Sequence, residues 1–181
     1  HRDLHSFPTR RSSDLLRMRR EDPNATLDGA RVTIVGDIEH SRVARSNILA
    51  LNKLGAQVTL CGPATLMPAR IGEMGARVTC DLREALADAD IIYALRIQLE
   101  RQSKALFPSL REYIRLFRVD NDSLRHARAD ALIMHPGPIN RDIELAADVA
   151  DGPRSVILEQ VSNGVAIRMA VMHLLVNGGR G

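Results

Sequence analysis

Apolar residues fall into two rhythms along this chain. Compact aliphatic runs recur at 32–35, 58–61, 91–95 and 131–134, with a weaker one at 77–80. Their length and β-branched content fit strands buried on both faces. Between them the apolar positions switch to helical spacing. Val43, Ala44, Ile48, Leu51 and Leu54 mark a helix over 43–54, stopped by Gly55. Shorter helices are predicted over 68–74, ended by Gly75, over 81–87 behind an Asp81 cap, over 109–116, and over 120–127 behind an Asp120 cap. Strand and helix alternate, which predicts an α/β fold: a doubly wound, five-stranded parallel sheet with helices on both faces. The strand order 3-2-1-4-5 sets the carboxyl ends of the first and fourth strands at a reversal point, where open sheets of this kind bind ligands.

The two ends read differently. Residues 1–15 follow neither rhythm and resemble a translated sequencing-adapter remnant, a non-native tail. Residues 16–27 read as the remnant of a helix and linker, 28–154 as the α/β domain, 155–177 as a last helix and its end, and 178–181 as a tail. In that helix Ile157, Val161, Val165, Ile167, Met169, Val171, Leu174 and Leu175 cover more than one face. Burial on several sides is predicted, against a body this chain does not contain.

Charge narrows the partners. A sequence pI near 9.3 invites a nucleic-acid reading, but six Arg and two Asp in residues 1–20 give that stretch +4. With +3 overall, the remainder nets −1. No Trp, two Tyr and three Phe leave few platforms on which bases could stack, so no nucleic-acid partner is expected. No apolar run approaches the ~20 residues of a membrane span. Cys61 and Cys80 form no Cys-x-x-Cys pair and no signal peptide is evident, so both read as reduced, buried thiols of a cytoplasmic protein. The six His show no ligand spacing, and no metal is expected.

Three loops then meet at the reversal point: 36–42, 96–101 and 135–141. After Gly36 there is no second or third glycine in dinucleotide spacing, so the fold is Rossmann-like without a nicotinamide or flavin motif, and no cofactor is expected. Arg42 opens the first long helix, where a cation opposes the helix dipole unless an anion binds beside it. Arg96 and Gln98 follow the fourth strand on one side of an extended backbone. A guanidinium grips a carboxylate through two parallel hydrogen bonds, and a neighbouring amide both donates and accepts. His135-Pro136-Gly137-Pro138 is a stiff loop with two backbone donors removed, whose carbonyls can face a ligand's N–H groups. His135 reads either as an acid–base group or as a buried histidine bonded to backbone.

Gly36-Asp37-Ile38-Glu39-His40-Ser41-Arg42, Arg96-Ile97-Gln98-Leu99-Glu100-Arg101 and His135-Pro136-Gly137-Pro138-Ile139-Asn140-Arg141, with Asp151-Gly152-Pro153 and Gln160-Val161-Ser162-Asn163-Gly164, resemble aspartate carbamoyltransferase catalytic chains, in order. The related ornithine enzymes usually carry a Cys in the His-Pro loop, and this loop has none. The resemblance implies the aspartate-binding half of an enzyme that carbamoylates L-aspartate from carbamoyl phosphate. It implies that Arg42 and Arg96 hold the two carboxylates and that Gln98 helps to position the substrate. Carbonyls of Pro136 and Gly137 would contact the carbamoyl amide and the attacking amine, with Pro138 completing the loop. Glu100, four positions after Arg96, is placed to orient it. A homotrimer, with regulatory or dihydroorotase-type subunits as further partners, is implied in the same way. Asp142 stands where the family usually has Gly, which suggests a local loop difference. The Ser-Thr-Arg-Thr phosphate loop and the rest of the carbamoyl phosphate domain are absent from this chain, so it is expected to be inactive alone. A carbamoyltransferase for ornithine or another amine, a non-catalytic dicarboxylate-binding module, and an NAD-linked dehydrogenase are the rival readings.

Overall fold

The computed structural model describes residues 26–97 and 109–177. Five strands form one sheet: Arg31–Val35 (β1), Gln57–Cys61 (β2), Ala76–Thr79 (β3), Ile91–Ala94 (β4) and Leu132–Met134 (β5). All pairs are parallel and the order is β3-β2-β1-β4-β5, as the alternation of elements requires. β1 is central, Val32 pairing with Val58 on one side and Ile91 on the other. Thr33, its one buried polar residue, donates its hydroxyl to the Ala85 carbonyl at 2.6 Å and so brings no unpaired group into the core.

Helices flank the sheet on both faces. Arg42–Lys53 (α1) starts where the Ser41 hydroxyl accepts the Ala44 N–H at 3.1 Å, and it buries Ala44, Asn47, Ile48 and Leu51 at helical spacing. Gly55 at φ +79° ends it. Leu82–Leu86 (α2) is capped by Asp81, which accepts from the Arg83 and Glu84 N–H groups. Leu110–Phe117 (α3) is capped by Ser109 and sends Tyr113 and Phe117, four apart, into the core with ring centroids 5.6 Å apart. One apolar cluster joins Val35, Ile92 and Ile133 of the sheet to Leu86, Tyr113, Phe117, Leu124 and Ile157. Burying each such aliphatic side chain contributes roughly 1.5–3 kcal/mol.

Some expected elements come out differently. The helix expected over 68–74 is a pair of 3-10 turns, Ala64–Leu66 and Ile71–Met74, and the one over 120–127 contracts to a 3-10 turn at Ser123–His126. A four-residue helix, Ala147–Ala150 (α4), has no counterpart among the expected elements. Cys61 is buried as expected, with its thiol pushed up to about 12, first by burial; Cys80 is exposed, one residue past the edge strand β3.

The chain divides into two compact units, the second being Leu27–Ile157. The helix Ile157–Asn177 (α5) runs on into the first unit. In the chain by itself its apolar residues stand in solvent: Leu158, Met169, Met172, Leu174, Leu175 and Val176 are between 60% and 84% exposed. Among the described residues no helix is long and apolar enough to cross a membrane. Residues 1–25, 98–108 and 178–181 lie outside the described residues, and with them the tail, the helix remnant, Gln98 and Glu100.

Candidate functional site

The carboxyl ends of β1, β2 and β4 approach one another through glycine. The Gly36 N–H donates to the Cys61 carbonyl at 2.8 Å, and the Leu95 N–H donates to the Val35 carbonyl at 2.8 Å. Gly36 sits at φ +130°, and a Cβ there would lie 3.1 Å from the Leu95 Cβ. At Gly62 a Cβ would come within 2.3 Å of the Gly36 carbonyl oxygen. Gly62 therefore has no room for a side chain and Gly36 holds a backbone conformation that other residues adopt only under strain, and the loops after β1 and β4 are held backbone to backbone.

In the first loop Asp37 is 2% exposed, and both of its carboxylate oxygens lie 3.0 Å from His40 Nδ1. Its Oδ1 also accepts the His40 N–H at 3.1 Å. The loop is thus internally braced before it reaches Ser41 and Arg42. Arg42 is the first residue of α1 and is exposed, at the end of the helix where unpaired N–H groups give a positive potential.

Arg96 lies two residues beyond β4. Its neighbours Leu95 and Ile97 are 1% and 0% exposed, while Arg96 is half-buried. The two flanking residues fix the backbone, and the alternation of an extended chain sends Arg96 to the other side.

The third loop leaves β5 at Met134. The His135 ring is buried, its Nδ1 accepts the Gly137 N–H at 2.8 Å, and its Nε2 lies 3.2 Å from Glu144 Oε1. An Nδ1 that accepts carries no proton, so the neutral ring has its proton on Nε2 and donates it to Glu144. Of the two readings open for His135, the buried, backbone-bonded one is the structure's. Pro136 and Pro138 have no N–H, and Gly137 spends its own on His135. Residues 136–138 therefore present no free backbone donor. Gly137 has φ +60° and the Gly137–Pro138 peptide is cis.

The second and third loops are fastened together. The Asn140 side-chain amide donates to the Ile97 carbonyl at 3.0 Å, next to Arg96, and the Asn140 N–H donates to Glu144 Oε1 at 2.6 Å. Beside the start of the first loop lies the buried Tyr113 hydroxyl, 3.4 Å from where a Gly36 Cβ would stand. Burial, then the charges of Glu144, Cys61 and Asp37, push its acidity well above the usual phenol range. It stays a neutral donor at physiological pH. Glu144 and Tyr113 were not legible as parts of this site. The one hint for Glu144 is its setting, a single charge in Ile143-Glu144-Leu145-Ala146-Ala147.

A cleft of about 890 Å³ lies elsewhere, between the end of β3, α2 and the carboxyl end of α3. Its carboxylates are already engaged: Asp81 caps α2, Asp120 pairs with Arg118, and Asp122 pairs with Arg125. It holds none of the loop residues singled out above and reads as a solvated groove.

Residues 28–175 match the family described as aspartate/ornithine carbamoyltransferase, Asp/Orn binding domain. The aspartate carbamoyltransferase catalytic subunit of Pelotomaculum thermopropionicum is 53% identical over 175 residues, which is 97% of this chain and 56% of that protein. The same subunit of Ruminiclostridium cellulolyticum is 54% identical over 158 residues, 87% of this chain and 50% of that protein. Among solved structures, ornithine carbamoyltransferase from Pyrococcus furiosus superposes with a TM-score of 0.79 at 31% identity, covering 97% of this chain and 58% of that one. The Thermus thermophilus ornithine enzyme gives 0.74 at 25%, covering 93% and 54%. The chain thus spans about half the length of the relatives it matches.

Proposed function

The chain belongs to the aspartate/ornithine carbamoyltransferase family, and from that premise we propose that it is the amino-acid-binding half of an aspartate carbamoyltransferase catalytic chain. The observation that carries this reading is the donor-free loop 136–138, tied through Asn140 to the backbone beside Arg96. Such a loop suits a substrate rich in N–H groups, and a guanidinium beside it suits a carboxylate.

In the proposed reaction the α-amine of L-aspartate attacks the carbonyl carbon of carbamoyl phosphate. The tetrahedral intermediate collapses, phosphate leaves with the C–O bonding pair, and the amine loses a proton to give N-carbamoyl-L-aspartate. Arg42 and Arg96 hold the two carboxylates, and Gln98 helps to place the substrate, with Glu100 behind Arg96. The Pro136 and Gly137 carbonyls accept from the carbamoyl amide and from the amine, which gains positive charge as it attacks. Neither a metal nor an organic cofactor takes part. Catalysis comes from holding two anions in attack geometry. The phosphate-binding groups belong to the remainder of a longer, trimeric, cytoplasmic protein. In it α5, with its exposed apolar side chains, covers part of the carbamoyl phosphate domain.

The two solved structures compared above are ornithine enzymes, which gives a second reading. Two arginines favour a dicarboxylate, because ornithine carries a cationic side chain that they would repel. Identity above 50% to aspartate enzymes supports the same choice.

Assay of the full-length catalytic chain with carbamoyl phosphate and either amino acid decides between them. Turnover of aspartate is expected and turnover of ornithine is not; the reverse would overturn the reading. In the same protein, Arg96→Lys loses the bidentate grip. At ~1.5–3 kcal/mol for a hydrogen bond to a charged group, kcat/KM for aspartate should fall roughly tenfold to hundredfold.

A further inference from the structure

Glu144 is a buried carboxylate that no step of the proposed reaction uses. It is 1% exposed, and its Oε2 makes no hydrogen bond. Its backbone is clamped from both sides: the Val119 N–H donates to the Glu144 carbonyl at 3.1 Å, and the Ala146 N–H donates to the Val119 carbonyl at 2.9 Å. A buried acid with one idle oxygen costs stability that an apolar side chain of the same size would not. Its Oε1, however, takes two hydrogen bonds from the loop that faces the crevice, from the Asn140 N–H and from His135 Nε2.

The consequence runs through the imidazole. A histidine has two neutral tautomers, and an acceptor at Nε2 selects the one with a bare Nδ1. Only that tautomer can take the Gly137 N–H. With the other, two N–H groups would face each other and Gly137 would turn. Its N–H would then swing toward the crevice, and the Pro136 carbonyl, in the same peptide plane, away from it.

We propose that Glu144 is a positioning residue for carbamoyl transfer: through its bond to His135 it holds the Pro136–Gly137 peptide with the Pro136 carbonyl toward the substrates, and through its bond to Asn140 it keeps that loop fastened beside Arg96. This rests on the carbamoyltransferase reading above. The carbonyls of 136 and 137 gain most when the attacking amine becomes cationic, so loss of the arrangement acts on kcat. The arginine contacts that set aspartate affinity are left in place.

The test compares Glu144→Gln and Glu144→Ala in the full-length catalytic chain. Gln keeps an oxygen that can accept from both partners; Ala keeps none. Glu144→Ala is expected to lower kcat at least tenfold while KM for aspartate moves less than threefold, and Glu144→Gln to stay within about threefold of the parent in both. Nitrogen-15 spectra of the His135 ring should show Nδ1 bare and Nε2 protonated in the parent and in Glu144→Gln, and a mixture of tautomers in Glu144→Ala. Unchanged kcat per folded Glu144→Ala molecule, or a parent ring protonated on Nδ1, would overturn the proposal. If Glu144→Ala does not fold, the parent spectrum and the Glu144→Gln kinetics decide: a bare Nδ1 with retained kcat supports it, and a Gln variant reduced tenfold with an unaltered tautomer overturns it. An inactive parent enzyme would count against the carbamoyltransferase reading, and the ring spectra would still report on the lock.

Discussion

Asp142 stands at φ +63°, a conformation that costs most residues ~1–2 kcal/mol but that Asp tolerates better. The resemblance suggested a loop difference at this position. The backbone there takes up left-handed geometry with an aspartate in it. That aspartate adds something glycine cannot, because its Oδ1 accepts the Ala147 N–H at 3.0 Å, at the start of α4. Relief of strain and loss of this bond, each ~1 kcal/mol, should nearly cancel in Asp142→Gly. Asp142→Ala keeps the strain and loses the bond, so it should cost about 1–2 kcal/mol more than Asp142→Gly in urea denaturation. At this scale the sequence was partly readable. His135 and the prolines stood out because their chemistry is local. Glu144 did not, since its partners lie four and nine residues away across a tertiary contact. Cys80 was misjudged because β3 is the edge strand, and the end of an edge is open to solvent.

Elements were legible in proportion to their length. Four of the five strands are mostly apolar and α1 has three turns of clean spacing, so burial and propensity agree. Four residues of Ala-Asp-Val-Ala are too few to show any period, which is why α4 was missed. The helix expected behind Asp120 stops after one turn for a geometric reason. Asp120 Oδ1 accepts the Ser123 N–H and Ser123 Oγ accepts the Asp120 N–H, both at 2.9 Å, but the chain must then turn within residues 127–131 to enter β5 at Leu132. Asp120→Ala should cost ~1 kcal/mol by chemical denaturation. Burial raises the Asp120 carboxyl, but the Ser123 N–H and the Arg118 guanidinium outweigh it and hold it below the usual 3.8. A carboxyl depressed in the fold stabilises fully above its unfolded value and loses that contribution as pH falls through its folded one. The gap between parent and variant should therefore narrow below about pH 4.

For the whole molecule, topology did the most. An all-parallel sheet ordered 3-2-1-4-5 has only one place where its carboxyl-end loops can gather, so the three loops were readable before any side chain was placed. The fastenings between them were not readable, because a Gly36–Gly62 approach and an Asn140–Ile97 bond follow from register, which no local pattern encodes. The exposed apolar residues of α5 bear on how the chain behaves alone. The purified 181-residue chain should transfer no carbamoyl group and should self-associate in sedimentation velocity, with Met169→Gln plus Leu175→Gln reducing the association. A parent chain that stays monomeric, or that carbamoylates aspartate, would contradict the assignment of α5 and of the missing half.

The central place of β1 has a consequence during synthesis on the ribosome. β1 can zip to β2 early, but its other edge waits for β4, since Val32 pairs with Ile91, 59 positions later. At ~5–20 residues per second that interval lasts roughly 3–12 s, during which one flank of Arg-Val-Thr-Ile-Val is a bare template for any neighbouring strand. Nascent-chain protection by a chaperone should peak in that window and fall once position 94 has cleared the exit tunnel.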